Sequence, residues 1–175
     1  MSQSLNLYQI SKANFEEFSK NHESFNFDFS DDNSSVFDQN FEGLIFLFSS
    51  YYLDQLPKSL EELFYPQNFI GENVDFSEID FDTIEDFPES TSIYFLNPVV
   101  IKEINSVLEN IENDKILDFY SADLFNTHNI YPSVWHDDES EDKAFNKKHL
   151  EEGLVLLKHT ISQASTNENY ILFFG

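Results

Sequence analysis

Apolar positions recur along the chain with two spacings, and the switches between them mark the elements. Leu5, Leu7, Tyr8 and Ile10 form a short apolar run that predicts a first strand over Leu5 to Ile10. Ser11 is placed to cap a helix that carries Phe15 and Phe18 on one face. Asn21 to Asn40 is polar, acidic and punctuated by Phe, and reads as loop. Phe41 to Leu53 is a strongly apolar helix, weakened somewhat by Gly43. Ser59 to Phe64 is a short helix between Pro57 and Pro66. Ser92 to Leu96 is a second strand. Asn97-Pro98 then starts a helix, with Asn as cap and Pro at the first turn, and Ile101, Ile104, Val107, Leu108 and Ile111 follow at helical spacing. Ser121 caps a short helix to Asn126. Ile130 to Trp135 is an ordered connection and His136 to Asp142 an acidic loop. Lys147 to Ala164 is a helix whose stripe is Leu150, Leu154, Leu157 and Ile161. Tyr170 to Phe174 is apolar at every position, which predicts a strand covered on both faces at the centre of a sheet.

The chain has 175 residues, enough for one domain spanning 1–175 that buries roughly 70% of its unfolded surface. Twenty Phe stand against one Trp and one Met, so Phe is the main core filler. Charge changes the picture more. The net charge is −24, and all nine basic residues are Lys. Without Arg there is no planar fork for phosphates or carboxylates, and a chain this acidic repels a nucleic-acid backbone. There is no Cys, which removes disulfides, thiolate metal sites and thiol nucleophiles. Met1 to Ile10 lacks the basic start and apolar core of a signal peptide, and Leu44 to Leu53 is too short to span a bilayer. The expected location is therefore the cytoplasm, with no membrane partner.

The acidity is uneven. Residues 21–96 hold 17 acids and one base, Lys58, together with 13 of the 20 Phe. Glu72 to Glu89 is the extreme case: eight acids, no base, and Phe76, Phe81 and Phe87 interleaved. Acids of this kind steer a basic protein to its site, and aromatics anchor it there. The candidate partner-binding residues are Asp28, Asp31, Asp32, Asp75, Phe76, Asp80, Phe81, Asp82, Glu85 and Asp86. The plainer reading of the same stretch is a solvated face whose Phe side chains pack inward.

The second half resembles the YfbM-like family, small bacterial proteins of unknown function. Three blocks carry the resemblance: Tyr94-Phe95-Leu96-Asn97-Pro98 running into its helix, Asn129-Ile130-Tyr131-Pro132-Ser133-Val134-Trp135 followed by acids, and the Leu150–Ala164 helix running into Tyr170–Phe174. Together they cover residues 92–175. The first half is similar more weakly, through the first strand, Phe41-Glu42-Gly43-Leu44-Ile45-Phe46-Leu47 and Asn68-Phe69-Ile70-Gly71-Glu72. Phe41 or its neighbour stands where the family helix usually has a Trp, and Ile45 where it has a His. The resemblance implies a mixed α+β fold, a central sheet with helices packed on it, and no particular activity. Asn97, Pro98, Tyr131, Pro132 and Trp135 are its motif residues and read as structural, and Tyr131, Pro132 and Trp135 form a packed corner that can also line a pocket.

Candidate chemistry is sparse. His149 and His159 are ten apart and face different ways along one helix, and His136 beside Asp137 and Asp138 makes a poor metal site. Asp31, Asn33, Ser35 and Glu42 fall at calcium-loop spacing, but Val36 holds the place that needs Gly. No nucleophile elbow, phosphate loop or zincin motif occurs, so no catalytic residue, metal or other cofactor is expected. Three roles fit: an acidic inhibitor of a basic protein, most concretely an immunity protein that neutralises a cognate bacterial toxin; a small ligand-binding protein or enzyme with a pocket near Tyr131 and Trp135; or an acidic structural or regulatory protein with no specific partner. The oligomeric state stays open.

Overall fold

A computed structural model describes residues 4–30, 32–72, 91–140 and 143–175. Its centre is a sheet of five strands: β1 (Ser4–Ile10), β2 (Ser34–Asp38), β3 (Phe69–Ile70), β4 (Ile93–Leu96) and β5 (Tyr170–Phe174). They lie in the order β2-β1-β5-β4-β3, with every neighbouring pair antiparallel. The terminal strand β5 is central, as its unbroken apolar sequence predicts, and pairs Leu172 with Tyr8 on one side and with Phe95 on the other.

Seven helices complete the described fold: α1 (Lys12–Lys20), α2 (Phe41–Tyr51), α3 (Lys58–Phe64), α4 (Pro98–Glu109), α5 (Asn113–Leu117), α6 (Ala122–Thr127) and α7 (Lys147–Asn167). Four of their starts are capped by a local side chain. The Ser11 side chain accepts the Asn14 N–H, and Asn97 accepts from Val99 and Val100 with Pro98 entering the first turn. Ser121 accepts from Leu124, and Asn146 accepts from His149. Each cap satisfies N–H groups that have no partner inside the helix.

Successive strand residues point to opposite faces, and both faces are covered. On one side Leu7, Phe37, Leu96 and Ile171 meet the main core, built with Leu44, Leu47 and Phe48 of α2 and Leu150, Leu154, Leu157 and Ile161 of α7. On the other side Tyr8, Ile10 and Leu172 meet Phe15 and Phe18 of α1. This two-sided burial explains why β1 lacks a clean alternation. The second layer is aromatic: Phe15 stacks on Tyr170 at 3.8 Å between ring centroids, and Phe18, Phe25 and Phe27 meet edge to face.

Three parts of the reading change, and the shortest is β3, an edge strand at Phe69–Ile70 where the sequence reads as a turn. Asn21 to Asn40 is not simply loop: it contains a single 3-10 turn (His22–Ser24) and the edge strand β2. Ahead of β2, Phe25, Phe27 and Phe29 alternate: Phe27 and Phe29 lay rings over Tyr8 and Phe174, and Phe25 packs on Phe18 and Phe27. The extended backbone of β2 also runs through Ser34–Asp38 of the possible calcium loop, and Glu42 lies in α2. The helix α5 carries no clear periodicity and is an addition.

Candidate functional site

The Ile130–Trp135 block forms a tight corner against α6. Asn126 makes a two-way contact with the main chain of Trp135: its Oδ1 accepts the Trp135 N–H at 2.9 Å and its Nδ2 donates to the Trp135 carbonyl at 2.8 Å. The indole Nε1 donates to the Ile130 carbonyl at 2.9 Å. Asn129 and Ser133 have φ of 54° and 62°, and the Tyr131–Pro132 peptide is cis. The indole is 3% exposed and packs edge to face on Phe125. It also lies over Gly43 of α2, where a Cβ would come within 3.0 Å of the ring and 2.7 Å of Leu150. Trp135 is thus a core residue, and Gly43 is the small residue that admits it.

Tyr131 has the opposite role. It lines an open cleft of about 460 Å³ with Ser4, Leu5, Gln39, Phe41, Glu42, Ile45, Phe64 and Phe173. Glu42 and Tyr131 meet there across 89 residues of chain: Glu42 Oε2 accepts the Tyr131 N–H at 3.2 Å. Glu42 sits in the first turn of α2, just after Gln39 with its φ of 59°. Sequence reading anticipated Tyr131 and named Glu42 only for its calcium-loop spacing, because nothing in the sequence connects it with Tyr131.

A second, polar cleft of about 590 Å³ lies where β2 meets α7. Asp32, Asn6, Ser34, Ser35, His159 and Gln163 line it together with the exposed Phe29 and Val36. Many of its groups are committed to one another. Gln9 donates to Gln163 at 3.3 Å, and Ser34 to Asn6 at 2.8 Å. Thr160 gives its proton to the Leu156 carbonyl and so accepts from Ser35 at 2.7 Å.

The proposed partner-binding residues divide. Asp32 lines this polar cleft and Asp28 is exposed on the Phe25–Phe29 segment. Asp31, Asp75, Phe76, Asp80, Phe81, Asp82, Glu85 and Asp86 lie outside the described residues. Among the motif residues, Asn97 and Pro98 start α4 and stand apart from the Tyr131 corner.

The acids are weakly neutralised. Between described residues there are two ion pairs, Lys102–Glu168 and Lys115–Glu112, both on the surface. Lys158 instead turns inward: its Nζ donates to the Ile111 carbonyl and to Asn113 at 2.6 Å, and burial lowers its pKa. Burial, reinforced by Asp137 and Glu139, pushes the Tyr120 hydroxyl up to about 12. Its proton is held on the His136 carbonyl at 2.7 Å. Burial lowers the His149 imidazole, against the pull of Glu152 and Asp38. Among the described residues no group of three His, Cys, Asp or Glu is placed to hold a metal ion, and no helix is long and apolar enough to cross a membrane.

The profile of the family described as "Domain of unknown function (DUF1877)" matches residues 1–174. The crystal structure of a protein of unknown function, YfbM from Escherichia coli, superimposes with a TM-score of 0.56 at 12% identity, covering 99% of each chain. At that identity the likeness concerns the fold. No curated protein matches the chain. With the profile spanning almost every residue, and the sheet and its helices following the same course as YfbM, the chain belongs to the DUF1877, or YfbM-like, family.

Proposed function

We propose that this protein is an acidic, non-catalytic binding protein of the cytoplasm that inhibits a basic protein partner, most concretely an immunity protein that neutralises a bacterial toxin. The observation that carries this reading is charge left without internal neutralisation. The chain has a net charge of −24, and its described residues form two surface ion pairs with each other. Such a surface carries a long-range field that accelerates encounter with a basic protein and repels nucleic acid. A toxin that acts on nucleic acid needs positive charge for its own substrate, and an acidic inhibitor can occupy that surface.

The test is a pull-down from the native host, followed by association kinetics of the captured basic protein across ionic strength. A steered complex associates more slowly as salt shortens the Debye length from about 10 Å at 0.1 M to about 3 Å at 1 M. Replacing Asp80, Asp82, Glu85 and Asp86 by their amides is expected to slow association and leave the melting temperature unchanged. Failure to enrich a basic protein, or kinetics indifferent to salt and to these amides, would leave the charge with a solubility role. The Glu42–Tyr131 cleft favours a second reading, ligand binding, which is distinct from the first.

A further inference from the structure

We propose that the cleft between Glu42 and Tyr131 binds an organic cation, an ammonium or guanidinium group carried on an apolar stem. Its walls are apolar and aromatic, with Leu5, Phe41, Ile45, Phe64, Tyr131 and Phe173 contributing, and Glu42 is the one charged side chain among the described lining residues. The volume, about 460 Å³, is in the range of small-molecule sites.

The chemistry follows from how Glu42 is held. A carboxylate has about four lone-pair sites on its two oxygens. Glu42 Oε2 takes the Tyr131 N–H at 3.2 Å, which fixes the group and leaves acceptor capacity, on Oε1 above all, for a ligand. Glu42 is half-buried. A ligand that enters the cleft strips more water from it, so an anion is repelled and a neutral ligand leaves the carboxylate poorly solvated. A cation with N–H donors restores what the water supplied, through a charge-assisted hydrogen bond. The aromatic lining adds attraction between the cation and ring faces, and its hydrocarbon surface takes the stem. Ile45 lies one helical turn beyond Glu42 in α2, so the carboxylate and part of the apolar wall come from one rigid element.

The cation can be a free amine or a Lys or Arg side chain presented by another protein. The two sources share this recognition and differ in whether backbone accompanies the stem.

The experiment is an NMR titration of the full chain at 0.15 M NaCl. The probes are butylammonium, its neutral counterpart 1-butanol, the anion butyrate, and Nα-acetyl-lysine N-methylamide as a mimic of a protein side chain. Butylammonium is expected to give saturable shifts confined to residues around 4–5, 39–45, 64, 131 and 173. It should bind at least about tenfold more tightly than 1-butanol, the worth of one charge-assisted hydrogen bond. Butyrate should give no saturable shift. Equal binding of the lysine mimic assigns the site to a protein side chain; exclusion of the mimic with retention of butylammonium assigns it to a free amine. Glu42→Gln keeps an oxygen for the Tyr131 N–H and should weaken butylammonium about tenfold or more. The wild-type ligand series decides the matter even if this variant folds poorly.

Equal binding of alcohol and amine overturns the proposal. So does equal binding by Glu42→Gln, or shifts spread over the acidic surface without saturation. Glu42→Gln changes the net charge of −24 by one, so salt-dependent association with a basic protein should persist in it. Loss of one activity is therefore separable from loss of the other.

Discussion

Asn126→Ala tests the frame that holds Tyr131 at the cleft. The substitution removes a carboxamide whose two ends clamp the main chain of Trp135, at 2.9 and 2.8 Å. Trp135 is 3% exposed, so its N–H and carbonyl lose partners in a place where water enters poorly. A buried main-chain group left unpaired costs about 1–3 kcal/mol. Asn126 itself is half-buried, which lets some water in, and the expected total is about 2–4 kcal/mol. Total stabilities of about 5–15 kcal/mol are usual, so the variant should still fold, with a clearly lower urea midpoint. The assay is urea unfolding followed by far-UV circular dichroism and by fluorescence. The chain has one Trp, so the emission reports this corner alone. A red shift of the folded-state emission should accompany the loss. Asn105→Ala is the control, because it removes an exposed carboxamide bond to Glu109 at 2.7 Å, and such changes usually stay within about 0.5 kcal/mol. An Asn126→Ala midpoint indistinguishable from that of Asn105→Ala would refute the argument that this corner is built on main-chain clamping.

Two further outcomes are expected. Burial lowers the His149 pKa, and in the folded chain its Nδ1 accepts the Phe145 N–H at 3.4 Å, which a protonated imidazole would forfeit. The unfolded chain then binds the proton more readily, so this contribution is complete above the unfolded value near 6.5 and is lost as pH falls toward the folded one. Titrating stability between pH 7.5 and 5 should show wild type losing ground to His149→Gln, and parallel curves would disprove it. Leu157→Ala removes a fully buried side chain from the α7 stripe and should cost about 2–5 kcal/mol, whereas Val155→Ala, half exposed two residues away, should cost far less. Denaturant midpoints compare them directly, and similar losses would mean that the α7 face is misassigned.

The sequence by itself determined the elements whose signals are local. Ser11, Asn97, Ser121 and Asn146 start helices because a short side-chain oxygen reaches an N–H two or three residues on, with no help from distant chain. The stripe of α7 and the unbroken apolar run of β5 likewise followed from spacing, and with them the central place of β5. The family could be read from the same blocks. What sequence could not decide was anything made by groups far apart in the chain. The strand β2 looks like loop because it is an edge: it pairs with β1 alone and buries only Phe37, so few of its residues need be apolar. The period of two in Phe25, Phe27 and Phe29 was available as a signal, yet only the sheet beneath gives those rings something to cover. The same limit governs the candidate site. Tyr131 and Trp135 are four residues apart and look alike as motif members, but one is sealed over Gly43 while the other opens onto a cleft. Glu42 stood out in the sequence only for a calcium-loop spacing, and the fold instead brought it 3.2 Å from the Tyr131 N–H. Charge is a property of composition and survives any fold; which carboxylate is held still, half out of water and beside aromatic rings is set by tertiary packing alone.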